Sequence, residues 1–213
     1  QGIEQYPTLL RAILEENAYV DKPFIVVLTP GRFNSAYYEH AFLAREMDVP
    51  LVTSRDLFVE NDKVFAKTIR GRQQVDVIYR RVDDEFLDPL VFRADSTLGV
   101  AGLMSAYLQN NVVIANAPGT GVADDKSIYP YVDQMIQYYL GETPILSNVP
   151  TYQCRDSEQL DYVLNNLEKL VVKEAQGSGG YGMLIGPQAD QQQIEQFRQK
   201  IMQTPHLYIA QPT

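Results

Sequence analysis

The chain has 213 residues, 45% of them apolar and 21% charged, a balance that supports a real hydrophobic core. Its 27 acidic residues outnumber 18 Lys and Arg for a formal charge of −9, so the protein as a whole repels nucleic acid and anionic membranes, and any anion site must be a local basic pocket. No run reaches the roughly 18 apolar residues of a membrane helix, and the single cysteine, Cys154, excludes an internal disulfide.

Lack of a disulfide fits a reducing compartment, and the cytoplasm is the expected location. Gln1 to Tyr6 has neither the basic region nor the apolar stretch of a signal peptide. The chain does not begin with Met and stops just after an apolar, strand-like run, so it reads as a piece of a longer protein. Neither histidine lies near Cys154 in sequence, and the cysteine reads as a packing residue rather than a nucleophile.

Tyr6, Leu9, Leu10, Ile13 and Leu14 have helical spacing over residues 6–17. Residues 23–29, Pro-Phe-Ile-Val-Val-Leu-Thr, read as a strand buried on both faces. Pro30-Gly31 breaks it, and Asn34 or Ser35 is placed to cap a helix running to about Met47. Leu51-Val52 follows as a second strand, giving a β-α-β opening and hence a parallel sheet with helices on both faces. Asn61-Asp62 between two apolar runs signals a hairpin. Val75 to Tyr79 is a further buried strand that delivers Arg80 and Arg81 to its carboxyl end, where open α/β sheets place ligands. Two readings stay open for these arginines: ion pairs with Asp83, Asp84 or Glu85, or contacts to a substrate or phosphate.

Residues 98–108 are expected to be helical despite Gly99 and Gly102, and 112–115 to be a strand. A loop over 116–121 then leads through Asp124-Asp125-Lys126 into a helix ending near Leu140, before Gly141. Pro144 to Pro150 is a candidate subdomain boundary, and Asp156 or Ser157 is placed to cap the next helix. Asp190 opens a helix with Ile194, Phe197 and Ile201 on one face, Pro205 ends it, and residues 207–211 form a last strand.

The most informative stretch is Leu170 to Gly186. An apolar run ends in Lys173, glycines stand at 177, 179, 180 and 182, and a second apolar run follows. This reads as strand, glycine loop, strand. Backbone N–H groups of such a loop can cradle an anion, with Lys173 supplying a fixed charge. The competing reading is a plain hairpin loop beside a surface lysine. A P-loop is excluded, because that motif ends Gly-Lys-Ser/Thr and opens a helix. Lys126 has a related setting after a glycine-containing loop, with an exposed, acid-paired lysine as its alternative.

Two such lysines around a helix-rich segment resemble the ATP-grasp fold. Three strings together, Asp76 to Asp84, Gly121 to Lys126 and Leu170 to Pro187, resemble the circularly permuted ATP-grasp family related to glutathionylspermidine synthase. The resemblance covers nearly the whole chain. It implies an α/β fold, with a Rossmann-like pre-ATP-grasp domain over 1–120 and part of an ATP-grasp α+β domain over 121–213. It implies that Lys126, Lys173 and the flap residues Gly177, Ser178, Gly179 and Gly180 hold ATP. Gln211 and the backbone of the hinge strand would hydrogen-bond adenine, and Arg80 and Arg81 remain substrate candidates.

The implied activity is ligation of a small-molecule or peptide carboxylate to an amine through an acyl phosphate, with ATP and Mg²⁺. A metal set is not evident. Asp83, Asp84, Asp124 and Asp125 qualify by charge alone, and the resemblance implies that the metal ligands lie upstream of this segment. The chain by itself is therefore expected not to turn over ATP. A non-catalytic nucleotide- or phosphate-binding module is the alternative, and a transferase using the sheet edge near Pro30 to Asn34 is a third reading, weakened by the lack of a glycine fingerprint.

Overall fold

The computed structural model describes residues 3–177, 180 and 182–213. Contacts divide the chain into two compact units, Gln1–Gly121 and Val122–Thr213.

The first unit opens with α1 (Tyr6–Glu16), β1 (Ile25–Leu28), α2 (Tyr37–Glu46) and β2 (Leu51–Val52). A three-stranded antiparallel sheet follows, β3 (Leu57–Glu60), β4 (Lys63–Thr68) and β5 (Gly71–Gln74). The chain then forms β6 (Val77–Arg80), α3 (Leu103–Leu108) and β7 (Val113–Ala115). Strands β1, β2, β6 and β7 make one parallel sheet in the order β2-β1-β6-β7.

The continuous apolar runs of β1 and β6 are explained by burial on both faces. Ile25, Val27, Val77 and Tyr79 point to one side and pack with Leu14 of α1, Leu43 and Ala44 of α2 and Met47 just after it. Val26, Leu28, Ile78 and Ile114 point to the other. That second face is covered by α3 and by Leu57, Val64 and Ala66 of the small antiparallel sheet, so one short helix and a sheet stand where sequence alone suggests helices. The hairpin at Asn61-Asp62 forms as expected, both residues having positive φ (51° and 56°) as a tight two-residue turn requires. Strand β5 extends it and carries no apolar signal.

Two elements differ from the sequence reading. The helix expected over 98–108 is only α3, because Gly102 adopts φ 83° at its N-terminus. A Cβ on Gly99 would lie 2.0 Å from the Phe86 carbonyl, so this glycine serves close packing rather than helix. The start of α3 is fixed by Asp88, which is fully buried. Its carboxylate accepts from the N–H groups of Leu90 (2.9 Å), Gly102 (3.1 Å) and Met104 (2.9 Å). The cap at α2 also shifts: Asn34 accepts from the Ala36 N–H at 2.9 Å in a turn before the helix, and Ala36 is the N-cap.

The second unit contains α4 (Val132–Leu140), β8 (Tyr152–Gln153), α5 (Ser157–Asn165), β9 (Leu170–Glu174), β10 (Met183–Ile185), α6 (Gln191–Gln203) and β11 (Tyr208–Pro212). The strands form an antiparallel sheet in the order β10-β9-β11-β8. Asp156 caps α5 and Asp190 caps α6, the latter in a reciprocal box with Gln193. No helix among the described residues is long and apolar enough to cross a membrane.

At the carboxyl edge of the parallel sheet, Thr29 Oγ1 lies 2.9 Å from the buried Nδ1 of His40. Burial lowers the proton affinity of this imidazole, the Arg81 guanidinium acts in the same direction, and Glu39 opposes them. His40 thus takes up a proton less readily in the folded chain than in the unfolded one, where a His does so below about pH 6.5. Stability from this residue is complete above that pH and declines as pH falls through it. Urea unfolding at a series of pH values between about 7.5 and 5 should show the decline, and His40→Gln should flatten it. Asp88→Ala leaves three N–H groups without their acceptor, that of Met104 buried, and should cost about 3 kcal/mol in the same assay.

Candidate functional site

The period of two along a strand builds the site in the second unit. Leu170 and Val172 of β9, Leu184 of β10 and Tyr208 and Ala210 of β11 face one side, where they pack with Val163, Leu167, Ile194 and Ile201. Lys173 must therefore face the other side. In the antiparallel register Lys173 stands opposite Ile209, and Val171 opposite Gln211. The Lys173 ammonium donates to Gln211 Oε1 at 2.7 Å, and Gln211 Nε2 donates to Thr151 Oγ1 at 2.9 Å. Glu174 projects to the opposite face beside Tyr208, whose phenol is pushed up by burial and by that carboxylate.

Lys126 arrives from a different kind of structure. The helix expected from Asp124 onward begins only at Val132, and residues 120–131 form 3-10 helices and turns. Pro130 is a physical reason: in a helix running on from Asp124 it would lack the N–H for, and clash with, the Lys126 carbonyl four residues back, whereas it fits the first turn of the 3-10 helix Tyr129–Tyr131. The Lys126 N–H donates to the Ala175 carbonyl at 2.9 Å, just beyond β9. Its ammonium donates to the carbonyls of Gly177 and Ala175. Beside it the Asp125 carboxylate accepts from the Ser127 N–H at 2.8 Å and from Gln176 Nε2 at 3.4 Å. The bonds with Ser127 are the main cause that holds this carboxyl below the usual range, with Gln176 and Lys126 assisting and burial opposing.

These elements enclose an open cleft of about 390 Å³ within the second unit. Lys126 and Lys173 both line it, with Gln211, Asp124 and Asp125. Ile128, Val132, Val149 and Ile209 supply an apolar wall. Ammonium groups next to an apolar wall suit a ligand with one flat apolar part and one anionic part. The two carboxylates restrict where an anion can settle. Among the described residues, no group of three or more His, Cys, Asp and Glu side chains converges to hold a metal ion.

Of the other sequence candidates, Gly177 contributes the carbonyl that Lys126 binds. Gly180 has φ 79° in the loop between β9 and β10, and Ser178 and Gly179 lie outside the described residues. Arg80 and Arg81 belong to the first unit. Arg80 is 7% exposed and pairs with Asp84 at 2.7 Å, one of the ion pairs considered from sequence. It also donates to the carbonyls of Asn116, Val82 and Ala117. Arg81 pairs with Glu39 at 2.7 Å, a partner the local sequence does not suggest. Cys154 is buried, and burial pushes its thiol up to about 12, so no thiolate is available near neutral pH. Thr151, which holds the Gln211 amide, is absent from the sequence candidates, because only the pairing of β8 with β11 reveals it.

The sequence pattern of the circularly permuted ATP-grasp type 2 family matches residues 1–213. An uncharacterized protein of Synechocystis is 55% identical over all of this chain and 44% of its own length. A protein of Frankia alni, provisionally named a glutamate–cysteine ligase, is 45% identical over 91% of this chain and 22% of its own length. The chain thus spans less than half the length of these curated relatives. The crystal structure of D-alanyl-alanine synthetase A from Vibrio cholerae superposes with a TM-score of 0.52 at 8% identity, covering 91% of this chain and 60% of that one, a likeness of fold. The match runs from end to end, and the chain belongs to the circularly permuted ATP-grasp type 2 family.

Proposed function

We propose that this chain supplies the nucleotide-binding cleft of an ATP-dependent ligase that joins a carboxylate to an amine through an acyl phosphate. The observation that carries the reading is the shared position of Lys126 and Lys173 on one cleft of the second unit. Two ammonium groups there neutralise phosphate oxygens, which is the main task in phosphoryl transfer. Lys173 is already oriented by Gln211, so little side-chain freedom is lost on binding. Lys126 must exchange the carbonyls of Ala175 and Gly177 for phosphate oxygens, which couples nucleotide binding to the base of the glycine loop.

Ile128, Val132, Val149 and Ile209 fit the flat face of adenine. Gln211 as observed is committed to Lys173 and Thr151, so its part in this reading is to hold the lysine. Mg²⁺ would supply charge neutralisation between phosphates. Asp124 and Asp125 line the cleft with the two lysines, but Asp125 is occupied by Ser127 and Gln176, and the pair does not fit a complete metal site.

The acceptor and donor are a small-molecule or peptide carboxylate and amine. The relative provisionally named a glutamate–cysteine ligase supports an amino-acid carboxylate as one of them. A binding module without catalysis is the second reading, favoured by the incomplete metal set. In protein of the relatives' full length, Lys173→Ala and Lys126→Ala should each lower ATP-dependent turnover about 100-fold, with unchanged unfolding midpoints. Normal turnover in both variants would sink the assignment of the cleft. Calorimetry on the 213-residue chain should give weak or no heat with MgATP, and tight Mg-dependent binding would show that this segment alone completes the site.

A further inference from the structure

The parallel sheet of the first unit has a topological switch point. Its order β2-β1-β6-β7 means that the chain builds outward from β1 on one side and then crosses to the other. In open α/β sheets the crevice outside the carboxyl ends of the two strands at such a point is where ligands bind. Here those strands are β1 and β6, leading into Thr29-Pro30-Gly31-Arg32-Phe33 and into Arg81.

The groups at this edge are unusual for a protein of charge −9. The Arg81 side chain is 24% exposed and lies over the Tyr79 ring, 6.0 Å from its centroid. Its Nη1 is 3.4 Å from the Tyr79 hydroxyl, and its Nη2 donates to Glu39 Oε1 at 2.7 Å. Arg32 is exposed and stacks on Phe33, itself 92% exposed. The space in front of Gly31 is open. Arg80, by contrast, is saturated by Asp84 and backbone carbonyls and offers nothing outward.

Glu39 is the only acid paired with Arg81 among the described residues, and its side chain is 53% exposed. An ion pair at that exposure contributes at most about 1 kcal/mol, so an incoming anion can replace it. The guanidinium keeps its contacts with Tyr79 when Glu39 is displaced, since these involve Nη1 and the ring rather than the carboxylate. We propose that Arg81 is the docking point for the carboxylate of a substrate, and that Glu39 is an internal carboxylate which this substrate displaces. The inference rests on the ligase reading only in calling the ligand a substrate.

The chemistry favours carboxylate over phosphate. One planar fork matches two carboxylate oxygens, as Glu39 already demonstrates in part. Phosphate sites add a nest of free backbone N–H groups, but the Gly31 N–H is directed at Thr29 Oγ1 at 3.2 Å. His40, behind Thr29, is buried, and burial disfavours a second positive charge there.

The test is a titration of the 213-residue chain with succinate, and separately with inorganic phosphate, followed by backbone amide NMR without nucleotide. Succinate should shift the amides of Glu39 and of residues 79–82 saturably. Glu39→Gln, a surface change, should tighten that binding at least about threefold, since it removes the competing partner. Arg81→Gln should abolish it, and phosphate should give no saturable shift there. Binding that survives Arg81→Gln, that weakens in Glu39→Gln, or that phosphate reproduces would overturn the proposal. Because no nucleotide is present, failure here leaves the Lys126 and Lys173 cleft untouched, and failure of that cleft to bind ATP leaves this result standing.

Discussion

The hydrogen bond from Lys173 to Gln211 crosses the central strand pair of the antiparallel sheet, and the candidate cleft depends on it. The pairing of β9 with β11 does two things at once. Its inner residues, Val172 and Ala210 among them, close the core against α5 and α6. Its outer residues stand on the open face as a consequence of the same alternation. A hydrogen bond to an ammonium contributes about 1.5–3 kcal/mol, and ordering a lysine costs up to about 2 kcal/mol. The two nearly cancel, so the bond adds little stability. Its effect is to place a charge.

Lys126 is held by other means. It lies outside any strand or long helix, in turns imposed by Pro130. Its backbone N–H and its ammonium both bind the segment that leaves β9. One lysine is thus fixed to the sheet and the other to the start of the glycine loop, and a ligand contacting both would connect a rigid element with a loop.

The first unit shows how one residue of offset separates two arginines. Arg80 points inward at the end of β6, where a buried charge requires an acceptor for each donor. It meets that demand with Asp84 and with carbonyls of the loop after β7. Arg81 points outward, keeps one exposed carboxylate partner, and remains chemically addressable. Neighbours in sequence with the same charge have opposite work because the strand alternates.

Local chemistry was legible without the fold. The uniform apolar runs of β1 and β6, the Asn61-Asp62 turn, the caps at Asp156 and Asp190 and the glycine loop after Lys173 are each determined by a few adjacent residues. Family membership was legible too, but from three strings taken together, Asp76 to Asp84, Gly121 to Lys126 and Leu170 to Pro187, and the family pattern matches the whole chain. The helix expected at 98–108 failed because the reason for its glycines is distant: the carbonyl of Phe86 stands where a Cβ on Gly99 would be. Glu39 opposite Arg81 and Thr151 beside Gln211 were likewise invisible. Propensity, capping and alternation act over a few residues and can be read in order along the chain. Which side chains meet across a sheet depends on strand order and register, and those are settled only when the whole core closes.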